Sequence, residues 1–90
     1  MPRYIVQRTF PEGLNIPIGE DGRTVCARVG ENNEAEGVTW IHSYVSHDRR
    51  HTFCVYDGPD PESIRRCAAR NQLPIDQITR VTVLDPYFYA

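Results

Sequence analysis

The stretch WIHSYVSHDRRHTFCVYDGPD, residues 40–60, decides the fold. It reads as a strand, a polar turn and a second strand, and its two arms place Trp40, His42 and Tyr44 against Thr52, Cys54 and Tyr56 at every second position. Side chains alternate along a strand, so residue parity sorts the hairpin into two faces. The odd positions Thr39, Ile41, Ser43 and Val45, then His51, Phe53 and Val55, are mostly aliphatic in the middle, which suits packing against helices. The even positions are aromatic with polar handles, so they are expected on an open face. With the turn centred on Asp48, His42 falls opposite Cys54, Trp40 opposite Tyr56 and Tyr44 opposite Thr52, at Cβ separations of roughly 5 Å.

Working outward, VTWIHSYV and HTFCVY become antiparallel neighbours joined by a short link, as in a hairpin. Upstream, RYIVQRTF (3–10) is rich in strand formers and stops at Pro11-Glu12-Gly13. A helix is expected from about residue 22 to 36, with Val25, Cys26 and Val29 along one face and Gly37 as its left-handed stop. Downstream, DGPDPESIRRCAARNQLP carries the clearest helix signal. Asp60 can cap, Pro61 suits the first helical position, and Glu62 favours the positive end of the dipole. Ile64, Cys67, Ala68 and Asn71 recur at spacings of three and four, and Pro74 ends the run. ITRVTVL (78–84) is the last strand, followed by the aromatic tail DPYFYA.

The order is therefore β-α-β-β-α-β. This is the ferredoxin-like pattern, an α+β fold with two helices on one face of a four-stranded antiparallel sheet. Ninety residues suffice for one such domain, spanning 1–90, and not for a second core. The open face carries Trp40, Tyr44 and Tyr56, an apolar patch of the kind that marks interfaces, so a homodimer packed sheet to sheet is expected. The tail 85–90 is expected to pack on that dimer.

Twelve acidic and ten basic side chains leave the charge near neutral, without the concentrated basic footprint that a nucleic acid demands. No stretch approaches the roughly 18 apolar residues of a membrane span, and MPRYIVQRTF lacks the apolar run of a signal peptide. A cytoplasmic location is expected. Cys26, Cys54 and Cys67 are an odd number without CxxC spacing, which points to reduced thiols. Cys26 and Cys67 lie on helix stripes and read as core fillers.

GVTWIHSYVS, FCVYDGPDPESIRRCAARNQLPIDQI and the terminal DPYFY resemble the nickel-binding-like family of short bacterial ferredoxin-like proteins. The resemblance runs from about Gly37 to Tyr89, more loosely over the first strand. It implies a ferredoxin-like domain that pairs as a dimeric α+β barrel, and nickel as a cofactor. His42 matches the histidine of the family's W-x-H-S-Y stretch and Cys54 a cysteine of its C-x-Y stretch.

From the residues themselves, imidazole and thiolate are ligands suited to nickel, copper or zinc, and a two-fold dimer would supply a second pair. The expected site is one cavity on the open face, with His42 and Cys54 as metal ligands and Trp40, Tyr44 and Tyr56 lining it. The alternative for His42 and Cys54 is a hydrogen-bonded histidine and a small buried thiol. His47 and His51 lie in or beside the polar turn, where solvated residues are normal. Three classes of function follow: a dimeric binder of a transition metal or small molecule, a dimeric α+β barrel enzyme of the oxygenase or isomerase kind, and a structural or regulatory dimer. No nucleophile with a base and orienting acid, phosphate loop or carboxylate pair supports catalysis directly.

Overall fold

The computed structural model describes residues 1–14, 29–31 and 33–89. Four strands, β1 (Arg3–Thr9), β2 (Thr39–Val45), β3 (His51–Asp57) and β4 (Gln77–Val81), form one sheet in the order β2-β3-β1-β4, every neighbouring pair antiparallel. Helix α1, of which residues 29–31 and 33–35 are described, precedes β2. Helix α2 (Pro61–Asn71) joins β3 to β4, and a single helical turn, α3 (Pro86–Tyr89), closes the chain. The chain is an α+β protein with one four-stranded antiparallel sheet. The expected start of the first helix, with Val25 and Cys26, lies outside the described residues.

Local chemistry explains the boundaries. Asp60 accepts the Ser63 N–H at 2.7 Å and its hydroxyl at 2.9 Å, satisfying a helix donor that would otherwise lack a partner. Pro61 and Glu62 occupy the first turn of α2 as its sequence indicates. The helix ends at Gln72 in the left-handed conformation (φ 57°), with Leu73 N–H returning to the Ala68 carbonyl at 2.9 Å. Gly37 stops α1 at φ 72°, its N–H bonded to the Glu34 carbonyl at 3.0 Å. β4 is shorter than the expected 78–84: Val81 pairs with Arg3, the first residue of β1, and beyond it the ladder has no partner strand.

The core lies between the sheet and the helices. Tyr4, Val6, Cys54 and Tyr56 from the strands meet Val38 and, from α2, Ile64 and Cys67, with Trp40, Ile75 and Ile78 packed at the edge. Each fully buried aliphatic such as Ile64 or Val6 stabilises the fold by about 1.5–3 kcal/mol. α1 and α2 are tied together: Glu36 accepts from Arg66 at 2.8 Å and from Arg70 at 3.1 Å, and Asn71 donates to the buried Asn33 at 3.4 Å. These pairs hold both helices on the same side of the sheet.

This core reverses the expected faces at Trp40 and along β3, while His42 and Tyr44 keep the open face expected of them. Thr52, Cys54 and Tyr56 are buried under the helices, in line with Tyr4, Val6 and Arg8 of β1. The physical reason is complementary volume. α2 presents the small residues Ser63, Cys67 and Ala68 to the sheet, leaving room for Tyr4, Tyr56 and Trp40.

Candidate functional site

The hairpin turn sets the register from which the site is built. Ser46 N–H bonds the His51 carbonyl at 2.9 Å, so residues 47–50 form a four-residue link. Asp48 Oδ1 accepts the Ser46 hydroxyl at 2.6 Å and the Arg50 N–H at 3.0 Å, while Arg49 takes a left-handed φ of 62°. An even link moves the turn centre past Asp48 by half a residue. The pairs beside it are therefore Val45 with Thr52, Tyr44 with Phe53, Ser43 with Cys54 and His42 with Val55.

A bulge then absorbs the extra residue. The ladder shifts between Trp40 and His42, leaving Ile41 unpaired, and Trp40 faces Tyr56. Trp40 and His42, two residues apart, point to opposite sides of the sheet. Trp40 Nε1 donates to Ser43 Oγ at 2.9 Å, a contact that the bulge permits by bringing those residues to one face.

The expected cavity is accordingly divided. Trp40, Cys54 and Tyr56 belong to the helix-covered face, where the Cys54 thiol donates to Thr52 Oγ1 at 3.8 Å. Burial pushes the Tyr56 phenol up to about 12, with the nearby Arg8 charge pulling against it. His42 and Tyr44 stand on the other face, their rings edge to face at 5.1 Å. The structure does not bring His42 and Cys54 together. Parity failed here because one bulge inverts every side chain beyond it.

The bare face is nonetheless organised. Ile5, Phe53 and Val55 form its half-buried apolar middle, beside exposed His42 and Tyr44. Arg3 and Asp57 pair at 2.8 and 3.1 Å at one end, holding the Asp57 carboxyl below the usual carboxylate range. At the other end His51 Nδ1 lies 3.3 Å from Thr9 Oγ1, whose hydroxyl donates to Asp76. A hydroxyl has one proton, so with Thr9 donating to Asp76 it is His51 Nδ1 that donates to Thr9. Sequence reasoning placed His51 in the solvated turn. The signal that would have found it is its register with Thr9, which depends on pairing across the sheet.

Among the described residues, no group of three or more His, Cys, Asp or Glu side chains is arranged to hold a metal ion. Nor does any described helix have the length and apolarity to cross a membrane. A single copy thus offers separate imidazoles on a partly apolar sheet surface. Cys54 and Cys67 are both buried.

An antiparallel sheet covered by helices on one side and bare on the other defines a class of small α+β proteins. Within it, the chain belongs to the family of nickel-responsive SCO4226-like proteins, whose model it matches over residues 4–81. Among solved structures it is similar to SCO4226 from Streptomyces coelicolor A3(2), with 15% identity and a TM-score of 0.71 over 92% of this chain and 99% of that one. At this identity the likeness shows the fold. No curated protein is a significant match.

Proposed function

We propose that the protein is a homodimer of ferredoxin-like subunits that pack their bare sheet faces together, in the manner of dimeric α+β barrels, and enclose a site for a transition metal, nickel first. The observation that carries this reading is the uncovered face of Ile5, Phe53 and Val55 with Tyr44, which is 62% exposed in a single copy. The strand order β2-β3-β1-β4 supports the ferredoxin-like arrangement. His42 is the ligand offered by each subunit, because its imidazole is exposed on that face and suits nickel. Two-fold symmetry doubles the number of imidazoles, which the incomplete set among the described residues of one copy requires. Cys54 is left out of the site because its thiol faces the core. Exposed Leu84 and Tyr87 in the tail give the partner subunit an apolar strap. A cytoplasmic location accords with the free thiol of Cys54.

The test uses protein purified without an affinity tag. Light scattering at micromolar concentration should give a dimer, and Tyr44→Glu a folded monomer, since a charge buried in the contact costs several kcal/mol. Calorimetric titration with nickel should show binding that His42→Ala weakens at least tenfold. A wild-type monomer defeats the dimer, and unchanged nickel affinity in His42→Ala removes that residue from any metal site.

A further inference from the structure

Arg8 lies on the helix-covered side of β1, paired across the ladder with Thr52. It is only 3% exposed, and its Nε and Nη1 have no hydrogen-bond partner among the described residues. An arginine keeps its charge at any ordinary pH, so it cannot escape burial by losing a proton. An isolated buried cation costs several kcal/mol. The guanidinium carbon sits 5.8 Å from the Tyr56 ring centroid, and such a contact offsets only part of that cost. The balance remains unfavourable.

Among the described residues, the neighbours do not supply the missing negative charge. Tyr56 stays a neutral phenol, since burial pushes it up to about 12. The Cys54 thiol donates its proton to Thr52. The ion pairs among the described residues engage Asp57 with Arg3, Glu62 with Arg65, and Glu36 with Arg66 and Arg70, none of them with Arg8. Asp76, beside the same end of β1, accepts from Thr9.

We infer that Arg8 anchors a binding site for a small organic monocarboxylate on the covered side of the sheet. One guanidinium matches one negative charge, and its unpartnered Nε and Nη1 and the Thr52 hydroxyl provide donors. Val6 and Tyr56 beside them favour a ligand with an apolar remainder over a multiply charged phosphate. The site is separate from the bare face and does not depend on the metal reading.

The test follows the Arg8 Nε–H signal of the 15N-labelled full chain by NMR while formate or acetate is titrated against chloride at equal ionic strength. The carboxylates should shift that signal saturably and raise the melting temperature by roughly 4 °C or more, an increase absent in Arg8→Met. In carboxylate-free buffer Arg8→Met should melt at or above the wild type, because an unpaired buried charge has been removed. If that variant does not fold, the NMR titration of the wild type decides. A signal that ignores both carboxylates, or that follows chloride equally, overturns the proposal, as does Arg8→Met melting well below the wild type in carboxylate-free buffer.

Discussion

Replacing Trp40 and His42 in turn by alanine tests the bulge on which the face assignment rests. Plain alternation puts both side chains on one face, whereas the observed ladder puts Trp40 against the core and His42 in solvent. A tryptophan buries about 150–250 Å², and Trp40 is half-buried. At about 25 cal/mol per Å², half of that area is worth roughly 2–3 kcal/mol, to which the hydrogen bond with Ser43 adds about 1 kcal/mol. Total loss is about 3–4 kcal/mol, a large part of the roughly 5–15 kcal/mol that holds a small domain. Thermal melts should then fall by roughly 12 °C or more for Trp40→Ala. His42→Ala removes an exposed side chain, so its effect should stay within about 0.5 kcal/mol, less than roughly 4 °C. Both variants belong in the Tyr44→Glu background, where each melt reads one subunit. Equal losses from the two substitutions would refute the bulge and return both residues to one face.

Two further outcomes follow from local geometry. Gly37 has φ 72° with open space where a Cβ would lie, so Gly37→Ala meets only backbone strain and should cost about 1 kcal/mol, read as a melting point lower by roughly 4–8 °C. Four carboxyls lie below their ordinary range: Asp57 through its hydrogen bond from Arg3, Asp60 through the Ser63 N–H, Glu36 through Arg66, and Asp48 through the Ser46 hydroxyl. A depressed folded value means that their contribution is complete above the unfolded pKa of about 4 and is lost as pH falls through the folded values. The urea midpoint should therefore be level between about pH 7 and 5 and decline below about pH 4, and a midpoint that stays level on further acidification would contradict these pairs.

What the sequence determined by itself was local. Asp60, Pro61 and Glu62 announce α2 because capping, a pre-set φ and the helix dipole act within one turn. Gly37 marks a helix stop for the same kind of reason, and the order of the strands follows from runs of strand formers between breakers. Trp40 opposite Tyr56 was also legible, although by a different route from the one that the chain takes.

Only the tertiary structure decided which side of the hairpin is covered, and hence that His42 and Cys54 are separated. Period-two alternation defines two faces without saying which receives the helices. That choice depends on volume across the layer, where Ser63, Cys67 and Ala68 accommodate Tyr4, Tyr56 and Trp40. The same packing conceals Arg8 and aligns His51 with Thr9, relations between residues far apart in the chain. The bulge at Ile41 reconciles a four-residue turn with the aromatic pair of Trp40 and Tyr56, a conflict that exists only once both strands are in place.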